Sequence, residues 1–560
     1  MFHRVTMVAM KVLTAEEMQA CDRVTSERYG VPSIELMRAA SAAVVAFLRE
    51  RFPRARRVTV LCGKGNNGGD GMMAARLLAE AGLDVTTILL GSQDELKGDA
   101  ATAWRELSAS ESRHLYEVNS PAELSAHQAA LGADLIIDAV LGTGFKPPMK
   151  GLALAAMEWA STSAASFLSV DLPSGWPADA TNSSVRDKTF PSDAVITFTA
   201  PKRAHVFGEM TRRWNQPIVI APIGSPEEAI VSDQGLTWAG SSHALAEKPR
   251  PADSNKGKFG HVVVIGGSVG KSGAPAMAAI SALRSGAGLV TAAVPSPIVE
   301  QVSGFAPELM TMPMVAGPSG ELRSRGITAP QFKRLIERKT VIALGPGLGQ
   351  GPGVETLLEA VLSDTKLPLV IDADGLNVLA KNRSLMEKMG EVAKAGRSVV
   401  LTPHPGEMAR LVGRSVEQIQ ANRLEEARDF VHRFGVTLVL KGSRTLVAHK
   451  DGQVAVSTSG NPGMAKGGSG DMLTGIIAGF LAQFSQEPVR AVEGAVYLHG
   501  LAADLAVRDA DEHTLLATDS LKYFSRAFQF RPFRFAAGTQ RGYVWLQGLP
   551  FTRSPEAAAE

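Results

Sequence analysis

Short apolar, β-branched runs recur along the chain, each followed by glycine and then by apolar residues at helical spacing. Val58-Thr-Val-Leu-Cys62 leads into Gly63-Lys-Gly-Asn-Asn-Gly-Gly-Asp-Gly71 and then Met72-Met-Ala-Ala-Arg-Leu-Leu-Ala-Glu80. His261-Val-Val-Val-Ile265 leads into Gly266-Gly-Ser-Val-Gly-Lys-Ser-Gly273 and a small-residue helix from Ala274 to Ser285. Apolar runs bounded by turn residues predict buried strands, and strand–glycine–helix units in series predict parallel sheets covered by helices. Further strands are predicted at 134–138, 166–171, 340–344, 367–372, 398–402 and 436–440. Asp138, Asp171 and Asp372 close three of them, at the strand ends where such sheets bind ligands.

The pattern lapses over 236–256, where Pro, Ser and Gly without periodicity read as a linker. This gives one α/β domain at 10–235 and a different one at 257–522, followed by an extension at 523–560. The extension mixes aromatics and Arg without clean periodicity and reads as poorly ordered or surface-docked, with 553–560 disordered. Residues before Met10 read as dispensable.

A chain of 560 residues exceeds one hydrophobic core, consistent with two domains. A net charge of +2 speaks against a nucleic-acid or membrane surface. Cys21 and Cys62 are the only cysteines, so a disulfide framework is excluded and a reducing cytoplasm fits. No apolar run approaches the ~20 residues of a membrane helix. The amino terminus lacks the pattern of a signal peptide.

The chemistry concentrates in Thr458-Ser-Gly-Asn-Pro-Gly-Met-Ala-Lys-Gly-Gly-Ser-Gly-Asp-Met-Leu-Thr474. Glycines at a helix start let backbone amides approach phosphate oxygens. A carboxylate there, Asp471, would repel phosphate, so it handles a proton or a metal, which points to phosphoryl transfer onto a hydroxyl. The alternative is an Asp that caps a helix. In the first half, Gly63–Gly71 would wrap a phosphate-bearing ligand, with Asn66, Asn67 and Asp70 as polar contacts. Lys64 is given no role, and Cys62 reads as strand packing.

The segments Gly63–Gly71, Asp138-Ala-Val-Leu-Gly-Thr-Gly-Phe145 and Val170-Asp-Leu-Pro-Ser-Gly175 resemble the NAD(P)H-hydrate epimerases, from about Met10 to about residue 230. The resemblance implies a Rossmann-like three-layer α/β/α domain. Its substrate site would comprise Asn66, Asn67, Gly68, Gly69 and Asp70, then Gly142, Thr143, Gly144, Phe145, Lys146, Pro147 and Pro148, and the catalytic Asp171. It also implies a potassium ion on Asn67, Asp138 and Ser174, an oxygen set suited to a hard cation. Asp171 would help move a proton as hydroxide leaves and returns; its other reading is to organise the Pro173–Gly175 turn. Leu36–Ser41 and Trp176–Asp179 depart from the family's pattern and put epimerase activity in question.

In the second half, Gly257–Gly267, Arg284–Thr291, Gly345–Gly349, Asp372–Asn377, Thr402–Glu407, Lys441–Thr445 and the Thr458–Thr474 segment resemble, in order, the ADP- or ATP-dependent NAD(P)H-hydrate dehydratases. The match spans roughly 250–520 and implies a ribokinase-like fold. It implies that Ala287, Gly347, His404 and Asp471 face the hydrated cofactor, and that Lys441, Gly442, Ser443, Arg444, Thr445 and Gly470 surround the nucleotide. Lys441 would offset nucleotide charge, and the Gly467–Gly470 amides would stabilise the transferring phosphoryl group. His404 either faces substrate or is a buried hydrogen-bonding histidine. Asp372 and Asp374 either orient the site or, as the favoured reading, cap the helix near Leu376.

The chemistry links the halves. Phosphorylating a ring hydroxyl makes it a leaving group; loss of phosphate and a proton then restores the dihydronicotinamide. ADP, with Mg2+, would give AMP and phosphate, and the epimerase would deliver the epimer the dehydratase cannot use. Expected partners are NADHX, NADPHX and ADP, without nucleic acid or membrane, in a cytoplasmic homo-oligomer. The competing reading is a vitamin or sugar kinase fused to a non-catalytic nucleotide- or RNA-binding module.

Overall fold

The apolar runs become strands of two parallel-centred sheets. The computed structural model describes residues 9–110, 114–182, 188–318, 320–535 and 542–550, and the chain divides into two units. An amino-terminal unit takes Lys11–Gln234 and the segment after Phe530; a carboxyl-terminal unit takes Gly235–Phe530 and the residues up to Met10.

In the amino-terminal unit the parallel strands are β1 (Arg57–Cys62), β2 (Asp84–Leu90), β3 (His114–Val118), β4 (Leu135–Ala139), β5 (Ser166–Val170), β6 (Ala194–Phe198) and β7 (Ile218–Ala221), ordered β7-β6-β5-β4-β1-β2-β3. Val58, Val60, Ile136, Ile137, Phe167 and Leu168 are buried, as strands covered on both faces require. Three helices matter for the site: α1 (Ala15–Glu27), α2 (Ser33–Arg51) and α3 (Asn66–Glu80). The glycine run is not the open loop its composition suggests, because α3 begins at Asn66 and takes it in. Gly68 and Gly71 are there for close packing. A Cβ on Gly68 would lie 1.8 Å from the Gly63 carbonyl oxygen, and one on Gly71 would lie 2.5 Å from Ala139 Cβ.

The carboxyl-terminal unit carries β8 (Leu236–Trp238), β9 (His261–Ile265), β10 (Leu289–Pro295), β11 (Met310–Met314), β12 (Val341–Leu344), β13 (Leu369–Ile371), β14 (Val399–Leu401), β15 (Thr437–Leu440), β16 (Leu446–Ala448) and β17 (Val454–Val456). Their order is β11-β10-β9-β12-β13-β14-β15-β16-β17-β8, parallel from β11 to β15, with β16 antiparallel to both its neighbours. This unit is ribokinase-like α/β, and the amino-terminal unit is Rossmann-like. Helices Gly273–Arg284 and Ser469–Gln483 cross through small residues; a Cβ on Gly475 would lie 1.9 Å from the Ala278 carbonyl oxygen. Gly475 faces Ala278 and Gly479 faces Ala282, so the helices run in one direction and both begin at the carboxyl ends of the strands.

Two segments depart from the sequence reading. The 236–256 stretch is not simply a linker. β8 pairs with β17, and Trp238 is fully buried, its Nε1 donating to Thr458 Oγ1 at 2.8 Å. The extension is likewise built into the fold. The helix Phe524–Gln529 packs in the carboxyl-terminal unit. The strands β18 (Phe533–Phe535) and β19 (Gly542–Gln547) extend the amino-terminal sheet, with β19 antiparallel to β7. Tyr543 and Trp545 stack edge-on against Phe47 of α2 at 5.6 and 6.2 Å. Both segments are too short for periodicity to register; their partners are distant in sequence. The expectations for 1–8 and 553–560 lie outside the described residues. Among the described residues no helix is long and apolar enough to cross a membrane.

Candidate active sites

At the carboxyl end of β13, Asp372 accepts hydrogen bonds from Lys441 Nζ at 2.9 Å and from Thr402 and Thr474 hydroxyls, each at 2.8 Å. It precedes the helix Ala373–Lys381 but its carboxylate makes no capping bond. The expected cap is therefore overturned: three donors from three other elements claim both oxygens. Asp374 does not cap either, since it accepts from the Gly349 backbone amide at 2.8 Å and the Gln350 side-chain Nε2 at 3.1 Å. The Gly345–Gly349 loop can lie against this strand end because Gly345 has φ +128, where a Cβ would sit 1.8 Å from the Asp372 carbonyl oxygen.

Asp471 lies in the first turn of the Ser469–Gln483 helix. Burial, then the neighbouring Asp372 charge, raises its pKa to about 6 against the opposing pull of Lys441. The Gly470 and Asp471 amides have no acceptor among the described residues. A Cβ on Gly470 would lie 3.3 Å from Lys441 Nζ, which fixes the helix start beside the Lys441–Asp372 pair. Two helix starts thus point positive dipole ends at one strand-end surface, an arrangement that attracts anions. Burial opposes charge on Lys441, yet Asp372 and Glu407 outweigh it and raise its pKa. It therefore keeps its positive charge, held between Asp372 and Glu407 beside the helix start.

His404 is half-exposed, not buried, and begins the helix Pro405–Val412. Its Nδ1 accepts from the Gly406 and Glu407 amides at 3.0 and 3.4 Å, which places the ring proton on Nε2. Partial burial lowers its pKa, against the opposing Glu407 charge, and favours the neutral ring. Gly347 (φ +65) lies against Lys271 at the start of the Gly273–Arg284 helix and takes a bond from Ser268 Oγ at 2.9 Å. Gly442, Ser443, Arg444 and Thr445 form the turn between β15 and β16.

Ala287 is not brought to this surface. It precedes β10 at the amino ends of the strands, where its neighbour Gly286 abuts Gln483. About 18 Å of helix at 1.5 Å per residue separates Gln483 from Asp471. The Arg284–Thr291 motif keeps its place in the sequence order but belongs to the far edge of the sheet.

In the amino-terminal unit, Asp171 follows β5 with φ +65, a left-handed conformation that costs a non-glycine residue about 1–3 kcal/mol. One carboxylate oxygen accepts from Lys202 Nζ at 2.8 Å and Thr197 Oγ1 at 2.9 Å. The other accepts from the Thr143 amide at 3.1 Å and hydroxyl at 2.6 Å. Burial alone would push its pKa up, but Lys202, then His205, holds it well below the usual carboxylate range. Asp70 goes the other way: burial, then Asp171 and Asp22, raises it well above that range. Asp22 is raised to about 6 by burial, with Lys202 opposing.

Asn67 faces Gly142, and both its side-chain oxygen and nitrogen are buried without a partner. Asp138 takes the Ser174 amide at 2.7 Å and hydroxyl at 2.5 Å, joining the ends of β4 and β5. Gly68 and Gly69 pack inside α3, while Asn66 at its start is exposed. Of the 142–148 loop, Gly142 and Thr143 reach Asp171, Phe145 is half-buried, and Gly144, Lys146, Pro147 and Pro148 are exposed. The departing segments fit locally. Met37 packs on Gly69, Ser41 Oγ donates to the Asp70 carbonyl oxygen at 2.9 Å, and Trp176 fills the space that Gly208 leaves.

Sequence reasoning missed Lys202 and His205, and reached Thr402 and Thr474 only as the ends of motifs. A Lys-x-x-His placed after a strand was available as a signal for that pair, but no glycine drew attention to it. Among the described residues no cluster of three or more His, Cys, Asp or Glu could hold a metal ion.

A family model described as NAD(P)H-hydrate dehydratase matches residues 262–526, and one described as YjeF-related protein N-terminus matches 33–204. The bifunctional NAD(P)H-hydrate repair enzyme Nnr of Moorella thermoacetica is 39% identical over 525 residues, covering 92% of this chain and 96% of the relative. The same-named enzyme of Escherichia coli K12 is 34% identical, covering 91% and 93%. A crystal structure of the ADP/ATP-dependent NAD(P)H-hydrate dehydratase from Bacillus subtilis, co-crystallized with ATP/Mg2+, is 32% identical with a TM-score of 0.45, covering 52% of this chain and 96% of that one.

Proposed function

The chain belongs to the family of bifunctional NAD(P)H-hydrate repair enzymes, and on that premise we propose that its units act in series on hydrated nicotinamide dinucleotides. The amino-terminal unit interconverts the R and S hydrates. The carboxyl-terminal unit dehydrates the S form at the expense of ADP, giving NAD(P)H, AMP and phosphate.

One observation carries the dehydratase reading: a carboxyl group, its pKa raised to about 6 by burial, beside amides at a helix start that have no acceptor among the described residues. Asp471 takes the proton of the ring hydroxyl as its oxygen attacks the terminal phosphorus of ADP. The amides of Gly470 and Asp471 hold the phosphoryl oxygens as charge develops. His404 Nε2–H donates to the hydrated cofactor, and the Asp372–Lys441–Thr474 network fixes the helix start that carries Asp471. Mg2+ neutralises phosphate charge when bound. It would enter as a hard cation on the nucleotide's phosphate oxygens.

In the epimerase reading, Asp171 remains ionised and stabilises the cationic ring left when hydroxide departs, in place of the proton-moving role its sequence position suggested. Asp70, whose surroundings favour the protonated form, supplies the proton to that hydroxide. A potassium ion would be held by Asn67, Asp138 and Ser174, a fit supported by the orphaned Asn67 side chain; it would add fixed positive charge for the substrate phosphates. The test follows both hydrate epimers of NADH by chromatography with ADP, ATP or no nucleotide. Interconversion without nucleotide and ADP-dependent recovery of dihydronicotinamide absorbance are expected. A phosphorylated hydrate that persists would make the second unit a kinase instead.

A further inference from the structure

Arg423 opens the helix Arg423–Phe434, and no sequence motif marks it. Its guanidinium donates to the carbonyl oxygens of Ser443 at 2.5 Å, Leu440 at 3.2 Å and Lys441 at 3.4 Å. Nε is buried without an acceptor, and burial lowers the guanidinium pKa to about 10. Among the described residues no carboxylate pairs with it. Its charge is met by peptide dipoles alone.

A trans peptide presents its N–H on the side opposite its C=O. The Lys441 carbonyl turned toward Arg423 therefore turns the Gly442 amide away, and the Ser443 carbonyl does the same for the Arg444 amide. The Gly442 and Ser443 amides find no acceptor among the described residues, and both residues are exposed. The turn relies on left-handed backbone at Gly442 (φ +143) and Arg444 (φ +56), and a Cβ on Gly442 would lie 3.1 Å from the guanidinium. The Gly442 amide, turned from the guanidinium, and its neighbour at Ser443 are therefore two adjacent donors available to an anion. Lys441, the neighbouring cation, is already engaged by Asp372 at 2.9 Å and Glu407 at 3.8 Å.

We propose that Arg423 is a positioning residue for the nucleotide: it gathers the carbonyl side of the 440–444 turn so that the amide side receives the ADP diphosphate. Its charge, paired with no carboxylate among the described residues, adds to that attraction. This rests on the ADP reading given above.

Calorimetric titration of the full-length chain with ADP, without hydrated cofactor, separates the two ideas. Arg423→Lys keeps the charge but loses the planar fork, and Arg423→Gln loses both. The Kd for ADP should rise about tenfold in R423K and further in R423Q, the scale of one or two charge-assisted hydrogen bonds. The KM for ADP should rise in step, while the KM for the hydrated cofactor and the epimerisation rate stay at wild-type values. A merely structural arginine would lower the melting temperature and leave the Kd for ADP unmoved in the folded variant. Wild-type affinity in R423Q overturns the proposal. Should R423Q not fold, Gly442→Ala tests the same turn: weakened ADP binding supports the proposal and unchanged binding overturns it. A wild-type protein that binds ADP but does not dehydrate would sink the reaction reading alone; one that binds no ADP sinks both.

Discussion

Four carboxylic acids carry opposite assignments because their surroundings differ. Asp171 is flooded with donors and a buried ammonium, so it stays charged; Asp70, Asp22 and Asp471 are buried with too few donors, so their pKa values are raised, to about 6 for Asp22 and Asp471 and further for Asp70. If Asp471 is the base, its ionised form is the active one. Dehydration should therefore fall as pH drops through about 6 and level off above it, as a pH–kcat profile would record. Asp471→Asn should slow dehydration by roughly 10²–10⁴-fold, the usual worth of a general base, and leave epimerisation at its wild-type rate. For Asp171→Ala, NMR of the hydrate pool should show normal consumption of the S epimer and a stalled R epimer. Equal use of both epimers would leave Asp171 with only its turn to organise. The motifs made both aspartates legible. The donors that keep Asp171 ionised were not legible, because Thr197 lies in a different strand and Lys202 follows it.

At the scale of elements, the dehydratase surface depends on where two helices start, and that depends on how closely they cross. Gly475 and Gly479 let the Ser469–Gln483 helix press its backbone against Ala278 and Ala282. Gly475→Ala forces backbone apart, and overpacking of this kind costs about 1–3 kcal/mol. Thermal unfolding should show that loss, and kcat for dehydration should fall with it as Asp471 moves off the Asp372–Lys441 pair. Glycines in the sequence signalled close approach without saying to what. Gly68 and Gly71 looked like a ligand cradle and serve helix–strand packing, whereas Gly345 does open the strand end. Composition cannot separate these cases, since a missing Cβ accommodates a phosphate and a neighbouring backbone equally well.

The chain as a whole does not fall into two consecutive segments. After Phe530 it supplies β18 and β19 to the sheet of its own amino-terminal unit, and the Trp238 amide bonds the Met10 carbonyl oxygen at 2.9 Å in the other. A chain ending at Phe530 should leave β7 as an open edge, lower the melting transition of the amino-terminal unit and promote association through that edge. Dehydratase kinetics should stay unchanged in the same protein. An unaltered melting profile would mean that β18 and β19 contribute no stability to that sheet.

The amino-acid order by itself determined the central strands of each sheet, β5-β4-β1 and β9-β12-β13-β14-β15, their glycine turns, the α/β class of both units and the family, because each is written within a few consecutive residues. Only the tertiary structure decided that Ala287 belongs to the far edge of its sheet and that Asp372 organises side chains without capping its helix. The same holds for the placement of Trp238 and of β18 and β19 within the sheets. Those outcomes depend on which distant segments meet. Strand order and helix crossing set that, and no local pattern of apolar and polar residues encodes it.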